Sequence, residues 1–252
     1  MTESIHIYQN SLALSEGFTA FLKEKMNGNE HFTISLSGGS TPMALFDYWA
    51  EHCQQSIDWQ HISFFWGDER CVPPTDQMSN YGMTKKHLFD KVQNIHSSNI
   101  HRIHGENSTE NELKRYDSVM NKYVPKKNDI PCFDLMVLGL GDDGHTASIF
   151  PHQISLWDNT HNCVEAEHPE SKMKRISLTG RVVNNSTDIV FLVTGKNKAE
   201  KVKEIIEQRT KFLDLYPAAR VNPAWGHLHW FLDENAAEFL GKGVDGDSTC
   251  AV

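Results

Sequence analysis

The chain has 252 residues, 39% of them apolar and 23% charged, with 33 Asp and Glu against 24 Lys and Arg for a formal net charge of -9. Those proportions describe an ordinary globular protein and exclude disordered, collagen-like, coiled-coil and disulfide-dense classes. The acidic balance argues against a general nucleic-acid or anionic-membrane surface, yet it permits a small anion in a locally basic cleft. Five cysteines without a close pair, an amino terminus without a basic patch followed by an apolar stretch, and no long apolar run predict a cytoplasmic protein with reduced thiols.

In chain order, residues 5–8 predict a short strand and 12–25 an amphipathic helix with Leu14, Phe18, Phe21 and Leu22 on its apolar side. Phe32–Leu36 predicts a strand that empties into SGGSTP at 37–42. Thr41 is the expected cap of the next helix, which runs to about 53, and Pro42 fits its first turn. Gly38 and Gly39 permit close backbone approach, and the free amides beside Ser40 suit a phosphate or carboxylate. A bare connection satisfies the same residues.

The apolar run 61–66 ends in GDER. Pro73 and Pro74 then predict a long loop holding Asp68, Glu69, Arg70, Asp76, Ser79 and Asn80. Arg70 suits an anion or an ion pair with Asp68, Glu69 or Asp76 equally well. A helical pattern resumes over 81–89, and another over 108–123 starts at the capping-box-like STEN. His87, His96, His101 and His104 lack compact metal-ligand spacing, so no metal site is expected there.

Residues 133–140 form an almost continuous apolar run, the pattern of a strand buried on both faces of a parallel sheet. It opens into GLGDDGHTASIFP at 139–151. Gly139, Gly141 and Gly144 satisfy GxGxxG, but Pro151 stops any long helix and no acidic strand end follows, so a dinucleotide site is rejected. Asp142, Asp143, Gly144 and His145 remain site candidates, with Asp143 a plausible local orienter of a general base at His145. Ser148 lies in no nucleophile elbow. Residues 152–172 predict an exposed excursion, 174–178 and 188–193 strands, and 198–213 a helix whose basic start at Lys198 an anion would explain. A strand over 227–232, a helix from Glu234 and a frayed tail over 241–252 close the chain.

These loops together resemble the 6-phosphogluconolactonases, within the wider group that contains glucosamine-6-phosphate deaminases. The resemblance rests on SGGSTP at 37–42, GDER at 67–70 with SN at 79–80, HRIHGE at 101–106, GLGDDGHTASIFP at 139–151, KRISLT at 174–179, TGKNKA at 194–199 and WFLDENAA at 230–237. It implies one domain over 1–252 with a three-layer α/β/α fold around an open, mostly parallel sheet, of the glucosamine-6-phosphate deaminase, ribose-5-phosphate isomerase and CoA-transferase type. It further implies hydrolysis of a phosphorylated sugar lactone, with His145 activating water and Asp143 orienting it. Gly38, Gly39, Ser40, Thr41, Asp68, Arg70, Asn80, Gly144, Arg175 and Lys198 are the implied substrate-binding residues. No cofactor, metal, nucleic acid or membrane is implied, and a monomer or weak homodimer is expected. The deaminases resemble DGHIAFNEP after the histidine, whereas Phe150 stands here in place of their proton-transferring glutamate. Gly180, Arg181, Lys114 and Arg115 depart from the lactonase pattern. A deaminase, or a noncatalytic sugar-phosphate-binding protein, is the alternative.

Overall fold

The computed structural model describes residues 2–241, so nearly all of the tail expected to fray lies outside the described residues. Strand β1 (Thr2–Tyr8) leads into α1 (Ser11–Met26), where the Asn10 side chain caps the first turn by accepting from the amides of Leu12 and Ala13. Then come β2 (Phe32–Leu36), α2 (Ser40–His52), β3 (Ile62–Trp66), β4 (Asp68–Arg70), α3 (Asn80–Thr84) and α4 (Thr109–Tyr123). A small hairpin of β5 (Lys126–Lys127) and β6 (Ile130–Pro131) precedes β7 (Leu135–Leu138). The chain continues through β8 (Cys163–Glu167), β9 (Lys174–Leu178), α5 (Gly180–Val183), β10 (Asp188–Val193), α6 (Ala199–Phe212) and β11 (His227–Asp233).

Six strands form one parallel sheet in the order β1-β11-β10-β7-β2-β3. Every residue of β2, β7 and β10 is buried. That is the signature of a sheet covered by helices on both faces, and the three-layer α/β/α architecture follows from it. From β2 the chain moves outward to β3, whereas from β7 it moves the other way to β10 and β11. Loops leaving β2 and β7 therefore diverge and leave a crevice at their carboxyl ends. The pair is locked in register: Asp134 Oδ2 accepts from Thr33 N at 2.8 Å and Thr33 Oγ1 at 2.7 Å, and Ser37 Oγ donates to Val137 O at 2.9 Å.

A second, antiparallel sheet β4-β9-β8 stands beside the crevice. Its presence corrects two expectations. Residues 68–80 are not a long loop, since Asp68–Arg70 pair with β9 and Ser79 caps α3 by accepting from Gly82 N at 2.9 Å. Residues 152–172 are not simply an exposed excursion either: short helical turns at Pro151–Asp158 bury Trp157, and β8 buries Cys163, Val164 and Ala166 against β9.

Three helix ends also differ from expectation. Gly39, at φ 116, is the N-cap of α2, a backbone geometry that glycine adopts without penalty, while Thr41 turns away to share a 2.7 Å hydrogen bond with Thr194. Ser108 makes no side-chain cap at α4. The fully buried Glu112 carboxylate instead accepts from His104 N at 2.7 Å, Asn107 Nδ2 at 3.0 Å and Arg115 Nε at 2.8 Å, which accounts for arginine at 115. Residues 234–239 form turns, not a helix. No described helix is long and apolar enough to cross a membrane.

Candidate active site

A cavity of about 260 Å3 occupies the crevice where the β2 and β7 loops diverge, with the β4-β9 ribbon contributing to its wall. It gathers Gly38, Gly39, Asp68, Arg70, Asn80, His145, Arg175 and Lys198 from the expected set. Ser40, Thr41, Asp143 and Gly144 do not line it. Ser37, Gly139, Leu140, Gly141, Asp142 and Ala147 line it without having been expected as substrate-binding residues.

His145 is fixed from behind. Asp143 Oδ1 accepts from the His145 backbone N–H at 3.0 Å and contacts Nδ1 at 2.6 Å. A carboxylate only accepts, so Nδ1 carries a proton, and in the neutral ring the lone pair lies on Nε2. Burial raises the Asp143 carboxyl, but the hydrogen bond and charge of His145 outweigh it and hold Asp143 below the usual carboxylate range. The Phe150 ring lies 4.5 Å from the imidazole, centroid to centroid. Gly141 is sterically required here, because a Cβ on it would stand 2.1 Å from His145 Nδ1. Its amide donates to His145 O at 2.9 Å, and Gly144 N donates to Gly141 O at 3.0 Å. The Gly144 amide is thereby consumed by the loop, which removes it as a substrate contact or oxyanion donor.

The basic part of the cavity follows from strand periodicity. Asp68 and Arg70 point to one face of β4, Arg175 and Ser177 to the same face of β9, and Arg70 sits directly opposite Arg175. Like charges at directly opposed positions repel. Neither guanidinium hydrogen-bonds a carboxylate directly: Arg70 Nη1 donates to Met78 O at 2.6 Å, and Arg175 approaches the buried Asp68 carboxylate only to 4.0 Å. Both guanidinium Nε atoms are buried without a hydrogen-bond partner among the described residues. Burial lowers the Arg175 pKa against the opposing pull of the Asp68 carboxylate, with the charge of Arg70 adding to the fall. Lys198 has a partner at the rim, Asp142, at 2.6 Å. That lysine holds the Asp142 carboxyl below its ordinary range.

Of the carboxylates offered to Arg70, none pairs with its guanidinium. Glu69 points to the opposite face, where it accepts from the amides of Arg70, Asn80 and Tyr81 and from Ser79 Oγ at 2.7–2.9 Å. It is the hidden organiser of the 69–81 segment. Asn80 is set against Gly38, where a Cβ would meet its Oδ1 at 1.8 Å, and donates to the Asp68 backbone oxygen at 2.9 Å. Gly38 thus serves a side-chain seat as well as the turn.

The crevice sets a carboxylate-held imidazole beside two arginines with unsatisfied Nε donors, an arrangement suited to acid–base chemistry on a small anion. The chain belongs to the glucosamine-6-phosphate isomerases/6-phosphogluconolactonase family, whose model matches residues 9–230. It is 45% identical over 214 residues to the 6-phosphogluconolactonase of Haemophilus influenzae, covering 84% of this chain and 89% of that one. With the 6-phosphogluconolactonase of Treponema pallidum it shares 39% over 200 residues, 79% of this chain and 83% of the other. The crystal structure of the Thermotoga maritima 6-phosphogluconolactonase superposes with a TM-score of 0.79 at 25% identity, covering 92% of this chain and 100% of that one.

Proposed function

We propose that this chain hydrolyses 6-phosphogluconolactone to 6-phosphogluconate with His145 as general base and the Arg70–Arg175 pair as phosphate anchor. Water bound at His145 Nε2 loses its proton to the imidazole as its oxygen attacks the lactone carbonyl carbon. The imidazolium that forms is stabilised by Asp143 through the Nδ1 hydrogen bond. When the tetrahedral intermediate collapses, the bond to the ring oxygen breaks and the same proton passes from Nε2 to that oxygen. One histidine thus serves both halves of the reaction and returns to its starting state.

The carbonyl oxygen gathers negative charge during attack and requires donors. The amides of Gly38 and Gly39 bond no other group among the described residues and open beside the cavity, which supports them in that role. The phosphate would accept from the unsatisfied donors of Arg70 and Arg175, with Lys198 released from Asp142 to join them. A single observation carries this reading: an imidazole held by Asp143 and two arginines with unsatisfied Nε donors line one cavity. Phe150, buried beside His145, has no proton to give to a sugar ring, so ring-opening deamination lacks its acid.

The test is His145→Ala assayed for lactone hydrolysis with the spontaneous rate subtracted. Loss of roughly 100-fold or more in kcat is expected for removal of a general base. Retention of wild-type turnover would remove His145 from the mechanism. Arg175→Ala should act differently, raising KM for the phosphorylated lactone more than it lowers kcat.

A further inference from the structure

The turn after His145 folds back on itself. Ala147 has φ 48, in the left-handed region, and Ile149 N donates to Thr146 O at 3.0 Å. A β-carbon in that region is strained, and such strain persists only where surrounding contacts hold it. Here it carries the Ser148 side chain inward to complete burial. The Ser148 amide donates to Ser177 Oγ at 3.1 Å, which fixes the backbone from the β9 side.

Ser148 Oγ then stands between two opposite charges. It donates to Asp68 Oδ2 at 2.5 Å and accepts from Arg175 Nη1 at 3.3 Å. Asp68 and Arg175 remain 4.0 Å apart at their closest atoms, both almost fully buried. Without an intervening group, a buried carboxylate and a guanidinium at that distance would close into a two-point pair and spend the arginine's donors. With the hydroxyl in place, Asp68 accepts hydrogen bonds from Ser148 Oγ and from Asn80 Nδ2 at 3.2 Å, and Arg175 Nε has no hydrogen-bond partner among the described residues. Phe150 completes the seat, with the Arg175 guanidinium carbon 5.3 Å from its ring centroid.

We propose that Ser148 is a positioning residue: it wedges Asp68 apart from Arg175 and so keeps the guanidinium open for the substrate phosphate. This rests on the lactonase reading above. It also assigns a use to a serine that stands three residues from His145 yet is completely buried and does not line the cavity.

The test uses Ser148→Ala and Ser148→Cys in the full chain, with two substrates and one binding measurement. Cysteine preserves the buried volume, so the fold is retained, while its thiol hydrogen-bonds too weakly to hold the wedge. Both variants should raise KM for the phosphorylated lactone roughly tenfold, the usual scale for a hydrogen bond to a charged group, with kcat within about twofold of wild type. Calorimetry should show 6-phosphogluconate binding weakened by the same factor. Hydrolysis of glucono-1,5-lactone, which carries no phosphate, should keep its kcat/KM. Equal losses on both lactones would make Ser148 a general structural residue and overturn the proposal, as would an unchanged KM and product affinity. If His145→Ala retains lactonase activity, the catalytic reading fails, whereas the calorimetric arm still decides whether Ser148 governs phosphate binding.

Discussion

Replacing Glu69 by glutamine probes how the phosphate side of the crevice is held in place. Each carboxylate oxygen serves two donors: Oε1 takes the amides of Arg70 at 2.8 Å and Asn80 at 2.7 Å, and Oε2 takes Ser79 Oγ at 2.9 Å and the Tyr81 amide at 2.8 Å. Burial pushes the carboxyl up against the pull of these four donors, so the substitution asks whether they need the anion. In either orientation a glutamine amide turns its NH2 toward two of them. At least one buried backbone N–H is left facing a donor, at ~1–3 kcal/mol for each unsatisfied group. Adding the weaker bonds that a neutral acceptor makes gives roughly 2–5 kcal/mol in all. For a chain of this size each kcal/mol lowers the melting temperature by about 2–4 °C. Calorimetric or fluorescence melting of Glu69→Gln should therefore show a fall of roughly 5–15 °C. A fall below about 2 °C would refute the assignment of Glu69 as the organiser of residues 69–81.

Gly141→Ala should displace the imidazole, because the new methyl would occupy the space 2.1 Å from Nδ1, and kcat should drop by about 100-fold while the melting temperature changes little. Asp142→Asn releases Lys198 from its 2.6 Å partner, and product inhibition by 6-phosphogluconate should tighten by no more than about fivefold, the range of an exposed ion pair. Gly180→Ala places a Cβ 2.2 Å from Trp157 Nε1 and should destabilise the chain by about 1–3 kcal/mol in urea titration, with Trp157→Phe relieving part of the loss. Asp188 bonds His229 Nε2 at 2.9 Å and Lys25 at 3.1 Å; burial raises its carboxyl, but these two partners hold it below the usual range. A depressed carboxyl stabilises the folded state fully above the unfolded value of ~3.9 and loses that contribution as pH falls through the folded value. Asp188→Asn should thus be less stable than wild type at pH 6, and the gap should close toward pH 3.

Sequence reading located the parallel strands well. Phe32–Leu36 and Asp188–Val193 have the expected bounds, since each apolar run is short and flanked by turn formers, and Lys174–Leu178 of the antiparallel sheet also has the expected bounds. The contact between Asp143 and His145 was equally legible, because partners two residues apart need no long-range packing to meet. Strand β4 was not: Asp68, Glu69 and Arg70 show no apolar period, and only β9, distant in the chain, makes them a strand. The capping residues were of the right chemical type, yet Thr41 found Thr194 and Ser108 found no partner, since tertiary contacts override a local cap preference. Ser148 was visible as a residue, but its meaning depends on Asp68 and Arg175, which come from two other segments.

The divergence of β2 and β7 has a consequence for how the molecule folds. The cavity draws on residues from Ser37 to Lys198, and neither the amino-terminal nor the carboxyl-terminal half of the chain contains the imidazole together with both arginines. A partly folded intermediate lacking either the β2–β3 side or the β7–β10 side has nothing to bind. Substrate or product therefore recognises only the completed sheet, and by mass action it raises the free energy of every opening that separates those sides. Bound anion should slow proteolysis along the whole β2–β7 seam, beyond the carboxyl ends that line its cavity, which makes the metabolite a clasp on the fold as well as its cargo.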